Sequence, residues 1–215
     1  MADEMTKLDV DELLDRYLAT EKLDIFFDLL MKENQNVNLV SRETSRDDLR
    51  RLAAESVLPL EMTPGPFSRY VDVGSGGGFP AVPLVLTRKV MEETILVERT
   101  QKKAAALKRI SDLLGLPGLH RVQISNKTFE ELPVDRPYDL ITIRYVKLTP
   151  TLLKHVLKHL HPAGVCIYYS RPHFEPESCS IEVYPFAVPQ GSDPSPTPDS
   201  QDQVIKHFTL LRKTQ

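Results

Sequence analysis

Residues 69–80 read RYVDVGSGGGFP, a strand, a glycine-rich turn and a helix start in immediate succession. A short β-branched strand, Tyr70 to Val73, carries Asp72 near its end. Glycines then fall at Gly74, Gly76 and Gly78 before a helix begins at Phe79. Glycine lets a backbone turn tightly and approach a ligand where any Cβ would collide. Free N–H groups at the following helix start can meet a carboxylate or phosphate. Strand, glycine turn and helix together form the opening unit of a parallel α/β sheet, with its site at the carboxyl ends of the strands.

Spacing separates the ligand classes. A dinucleotide loop, G-x-G-x-x-G, requires glycine at position 79, which is Phe79 here. A P-loop requires Gly-Lys-Ser/Thr, which does not follow. The observed G-x-G-x-G, with Asp72 two residues ahead, fits an S-adenosylmethionine loop. A second anchor is Glu98, which ends the strand TILVE (residues 94–98). A carboxylate there lies beside the glycine loop, where it can accept hydrogen bonds from both ribose hydroxyls.

Working outward, strands and helices alternate. Strands are expected at Thr94 to Val97, Arg121 to Ile124, Leu140 to Ile143 and Val165 to Tyr169, with helices at Thr100 to Leu114 and Thr149 to His161. Ile181 to Val188 and Val204 to Leu211 read as an antiparallel hairpin. The polar, Pro-rich run between them, residues 189–203, reads as a mobile loop. Upstream, apolar spacing predicts helices over Asp11 to Leu18 and Leu23 to Met31. Ser45 and Asp48 form a capping box that opens a helix through Leu60. Asn-rich ENQNVNLVS (33–41) reads as a connection. The turn cluster at Thr63 to Pro66 divides the chain into a helical extension, 1–62, and a cofactor-binding domain, 63–215.

The 215 residues suit one such domain, and the hydrophobic (41%) and charged (27%) content is ordinary for a globular core. No apolar run approaches the roughly 20 residues of a membrane span, so a cytoplasmic protein is expected. Nothing demands more than a monomer. Cys166 and Cys179 form no CxxC pair and read as reduced thiols, and no metal site is expected. His155 and His159 share a helix face, but no acidic or thiolate cluster accompanies them. A net charge of −3 does not announce a nucleic-acid binder, although a local basic face is compatible with it.

Methylation of an exocyclic base amine commonly uses an Asn/Asp-Pro-Pro-aromatic loop after the fourth strand, where this chain has TIRYVKL (142–148). Carbon-5 pyrimidine methylation needs a cysteine nucleophile, and neither cysteine is placed for it. An acceptor that is already nucleophilic remains. Guanine N7 is one, since it carries a lone pair and no proton and needs only orientation toward the sulfonium methyl. Arg144 is the expected catalytic residue, reaching the guanine O6, a phosphate or the cofactor. Another RNA, a small-molecule acceptor and a non-catalytic cofactor-binding module stay open.

The runs NVNLVS, VDVGSGGGFPAVPL, LVERTQKKAAAL, TFEELP and IRY, within about residues 30–170, resemble the glucose-inhibited division protein B family. Its members methylate guanine N7 in small-subunit (16S) ribosomal RNA. The resemblance implies a Rossmann-like class I methyltransferase fold, with a mostly parallel seven-stranded sheet, an antiparallel C-terminal hairpin and N-terminal helices before it. It implies S-adenosylmethionine as cofactor, with contacts at Gly74, Phe79, Glu98, Phe129, Glu130 and Arg144, the Phe129–Glu130 pair lying beside the adenine. The implied partner is ribosomal RNA or the small ribosomal subunit. Leu52 and Glu55 stand where the family usually has His and Asp, and Ser170, Arg171 and Pro172 stand where it has Lys-Gly. Arg42, Arg46, Arg50 and Arg51, the densest basic group near the N-terminus, and Arg171 are the expected RNA contacts.

Overall fold

The structure, a computed structural model, describes residues 6–87, 89–175, 178–189 and 203–214. The expected mobile loop at 189–203 lies almost entirely outside the described residues.

The strands are β1 Thr6–Lys7, β2 Phe67–Val73, β3 Val90–Val97, β4 Val122–Ser125, β5 Tyr138–Ile143, β6 Leu160–Tyr168, β7 Cys179–Pro189 and β8 Gln203–Lys213. They form one sheet in the order β1-β7-β8-β6-β5-β2-β3-β4. β8 runs against both its neighbours, and the other pairings are parallel. The seven expected strands are all present, and the hairpin is β7–β8. An eighth strand, the two-residue β1, pairs with Phe186 and Ala187 at the edge. It carries too few residues to show a period-two pattern.

The helices are α1 Val10–Tyr17, α2 Thr20–Asn34, α3 Arg46–Val57, α4 Ala81–Leu86, α5 Gln101–Leu113, α6 Leu116–His120 and α7 Pro150–His159. None is long and apolar enough to cross a membrane. The capping box holds, with the Ser45 hydroxyl and Asp48 carboxylate each accepting the other's backbone N–H. The helix expected to reach Leu60 instead ends at Val57 and tightens into a 3-10 turn, Leu58–Glu61, because Pro59 has no N–H to donate. The short α6 was not expected; Gly115 (φ 69°) and Arg121 (φ 45°), both left-handed, bracket it and delay β4 to Val122.

Chain order places the site. From β2 the chain proceeds outward through β3 and β4, then crosses back to β5 on the opposite side of β2. Between β2 and β5 the order reverses, and the crevice beyond their carboxyl ends is where an open α/β sheet binds ligands. β5 is buried along nearly its whole length, as a strand covered on both faces must be. One face packs on α2 to α5 and the other on α7. The N-terminal helices therefore share a core with the glycine-loop helix.

The Asn-rich connection has a defined geometry. Asn34, 5% exposed at the end of α2, accepts the N–H groups of Leu39 (2.8 Å) and Val40 (3.0 Å) through Oδ1. Asn34→Leu leaves both donors unpaired, and a lost buried partner costs about 1–3 kcal/mol. A fall of at least that size in the urea-unfolding free energy is expected.

Candidate active site

The glycine loop wraps the end of β3. Gly74 and Ser75 each donate to the Val97 carbonyl at 2.9 Å, and Gly78 donates to Ser75 O at 2.7 Å. Gly74 (φ 77°) and Gly76 (φ 49°) are both in the left-handed region, which a side chain disfavours. The two positions differ in their surroundings. A Cβ at Gly74 collides with Val146, whereas at Gly76 nothing lies nearer than the Gly74 carbonyl at 3.8 Å. Gly78 (φ 92°) serves packing instead: its Cα faces Val82, Leu107 and Phe26 rather than the cleft. The Phe79 ring packs 5.2 Å from Phe26 and 6.5 Å from Phe27, so α2 anchors the end of the loop.

Glu98 is 6% exposed. Its Oε2 accepts the Gly76 N–H at 3.0 Å and its Oε1 accepts the Thr100 N–H at 2.7 Å. Each carboxylate oxygen keeps a second lone pair, so capacity for two hydroxyl donors remains. Asn126 fixes the same corner, donating to the carbonyls of Glu98 (2.8 Å) and Arg99 (3.0 Å).

Asp72 lies beneath the loop, 1% exposed. The Thr142 hydroxyl donates to its Oδ1 at 2.5 Å, and the Tyr70 hydroxyl, 2.7 Å from Thr142, must donate in turn because that single proton is already used. Its Oδ2 is buried with no partner, the kind of orphan that a bound donor explains. Burial pushes the Asp72 carboxyl from 3.8 up to about 6, against the opposing Thr142 and Ser75 hydrogen bonds. The folded protein thus holds this proton more tightly than the unfolded chain does between about pH 4 and pH 6. Stability from this group is greatest below pH 4, declines as pH rises to about 6 and is flat above, a loss of about 3 kcal/mol. Asp72→Asn should abolish that decline and be more stable than wild type at pH 7 in urea titrations across the range.

A cleft of about 600 Å³ opens at the switch point. Gly74, Gly76, Phe79, Glu98, Phe129, Glu130 and Arg144 all line it, so seven of the expected cofactor residues converge, while Asp72 and Gly78 support the floor. Leu39, Val40, Thr100, Lys103, Lys127 and Lys147 also line it. No spacing motif marks them, because they arrive from four separate stretches of the chain.

Arg144 does not reach outward as expected. It is 4% exposed and ion-paired with Glu55, and it donates to Leu52 O and Ser56 Oγ, each at 3.2 Å. Lys206 Nζ reaches the other Glu55 oxygen at 2.5 Å. A guanidinium so committed positions neighbouring groups; contact with a guanine O6 or a phosphate would require breaking a buried pair. The basic group on α3 is also differently disposed. Arg46 pairs with Asp24 (2.8 Å) and Asp28 (2.7 Å), Arg50 with Asp11 (2.7 Å), and Arg51 with Asp48. Arg42 instead lines a neighbouring cleft with Leu52 and Tyr145, and Arg171 is exposed at a third cleft beyond Arg144.

Cys166 is fully buried, and burial pushes its thiol well up, away from the thiolate a nucleophile needs. His159 is buried, with ring nitrogens 2.9 Å from His155 O and 3.2 Å from Leu132 O, and its ring lies 4.7 Å from Phe129. It is a packing residue behind the cleft. Among the described residues no group of three or more His, Cys, Asp or Glu is placed to hold a metal ion.

An open parallel sheet ending in an antiparallel hairpin, with a glycine loop and an acidic second strand end at its switch point, is the Rossmann-like fold of class I methyltransferases. The O-methyltransferase TomG from Streptomyces achromogenes, solved with SAM, superposes with a TM-score of 0.59 at 12% identity, covering 89% of this chain and 90% of that one. Within that class, the model of the rRNA small subunit methyltransferase G family matches residues 19–178, and this chain belongs to that family. The ribosomal RNA small subunit methyltransferase G of Cereibacter sphaeroides is 30% identical over 81% of this chain and 85% of its own length. The same enzyme of Rhodospirillum centenum is 33% identical over 73% of this chain and 67% of its own.

Proposed function

We propose that this chain is an S-adenosylmethionine-dependent methyltransferase acting on guanine N7 in the 16S RNA of the small ribosomal subunit. The observation that carries it is the convergence of the glycine loop, Glu98 and the Phe129–Glu130 corner on one cleft at the sheet's switch point, in a chain of this family.

The residues present fit the cofactor. Glu98 keeps acceptor capacity for the ribose hydroxyls, and Phe129 and Glu130 border the place for the adenine. The positive-φ glycines keep the floor free of side chains, and the orphaned Asp72 oxygen is an acceptor for the ammonium of the methionine end. When bound, the cofactor supplies an electrophilic methyl group on a sulfonium. This chain's task is then orientation, because guanine N7 needs no base to remove a proton. Arg144, held by Glu55, fixes the wall on the acceptor side. Lys103, Lys127 and Lys147 at the cleft, with Arg42 and Arg171 beyond it, supply positive charge for phosphates.

Mass spectrometry of small-subunit RNA from cells with and without the gene tests the reading. One N7-methylguanine should disappear on deletion and return with the wild-type gene. Unchanged RNA would sink the assignment, and cofactor binding without turnover on naked RNA or subunits would mark a sensing module instead.

A further inference from the structure

Tyr145 follows Arg144 past the end of β5 and is built at a cost to the fold. Its φ is 58°, in the left-handed region, where a bulky L-residue is sterically strained. The residue is 81% exposed, so burial of the aromatic surface does not offset that strain. Strain of this kind persists where surroundings over-determine it, and it concentrates at ligand clamps.

The surroundings are specific. The Arg144 guanidinium lies 5.1 Å from the Tyr145 ring centroid and 5.4 Å from that of Tyr169, and it is itself locked by Glu55 and Ser56. One side of the ring therefore rests on a fixed cation. Tyr145 also lines all three clefts: the cofactor cleft, the one containing Arg42, and one of about 270 Å³ lined by Arg171, His173, Lys206 and His207. A flat ligand seated on this ring has the methyl donor's cleft to one side and cationic groups for a phosphate to the other.

We propose that Tyr145 is a substrate-positioning residue, the platform on which the acceptor purine of a single-stranded RNA segment stacks. The proposal rests on the methyltransferase reading above and deepens it by naming what holds the base. Stacking on an exposed aromatic ring suits an unpaired base, because a single-stranded segment presents the face of a base that a duplex keeps buried in its stack.

The test compares wild type, Tyr145→Phe, Tyr145→Ala and Tyr145→Gly. Tritiated methyl transfer to small subunits lacking the modification gives kcat and KM, calorimetry gives the cofactor Kd, and thermal unfolding gives Tm. Tyr145→Phe should keep kcat/KM within about twofold, because the ring face is unchanged. Tyr145→Ala should lower it by about tenfold or more, the equivalent of one lost base–aromatic stack, with cofactor Kd unchanged. Tyr145→Gly should show the same kinetic loss with a Tm about 2 °C or more above wild type, because the strain is released. Unchanged kcat/KM in Tyr145→Ala overturns the proposal, as does a kinetic loss matched by weaker cofactor binding. If wild type transfers no methyl to any RNA, the functional reading fails and takes the proposal with it; equal kcat/KM in wild type and Tyr145→Ala sinks the proposal alone.

Discussion

Gly76→Asp is expected to fold as wild type does and to bind no S-adenosylmethionine detectable by calorimetry. Gly76 sits at φ 49° with open space where its Cβ would be. Asp is among the residues that tolerate the left-handed region, so the turn survives. The added carboxylate, however, enters the cleft beside Glu98, whose Oε2 already accepts the Gly76 N–H. Two carboxylates there repel, and the new one takes volume the ligand needs. Loss of binding by at least about 100-fold, some 2.7 kcal/mol, with Tm within a few degrees of wild type is the expected pair of results. Gly74→Val is the contrasting variant, since its side chain strikes Val146 and stability should fall along with binding. Retained binding in Gly76→Asp would show that the loop does not hold the cofactor.

The second large effect concerns Glu55. Its carboxylate faces Arg144 through one oxygen and Lys206 through the other, and the Glu55 and Arg144 side chains are each 4% exposed. Glu55→Leu leaves the buried guanidinium uncompensated. Breaking such a pair from one side costs about 3–5 kcal/mol, which for a chain of this size lowers Tm by about 10 °C. Arg144→Met alone should be nearly as damaging. The Glu55→Leu/Arg144→Met double variant should recover much of the loss, because the desolvation cost of both ions disappears together. Urea unfolding of the four proteins checks this, and strictly additive losses would refute the coupling.

The two effects differ in how visible their origin is in the sequence. The glycine loop is legible because its requirements are local: positive φ at fixed spacing, and a carboxylate one strand away. The strand–helix alternation is legible for the same reason, down to the Ser45–Asp48 box. Pairing across the fold is not. Read along the chain, Glu55 is a departure from the family pattern and Arg144 a free arm. Only the packing of α3 against the end of β5 makes them partners. Arg46 and Arg50 likewise look like an RNA surface until α1 and α2 bring Asp11, Asp24 and Asp28 beneath them. Asn34 is hidden in a run that reads only as polar, since its role depends on where Leu39 and Val40 turn.

The edge order β6-β8-β7-β1 also sets a schedule for synthesis. β7 reaches the sheet only through β8, and β1 only through β7, so β1, translated before either, waits until β8 has emerged. At about 5–20 residues per second that delay is on the order of ten seconds or more. From the emergence of β6 until β8 pairs with it, the outer rim of β6 offers unpaired N–H and C=O groups, an invitation to association with other nascent chains. A ribosome stalled just before β8 should therefore present its most aggregation-prone intermediate, with the cofactor cleft already assembled and the sheet still open on one side.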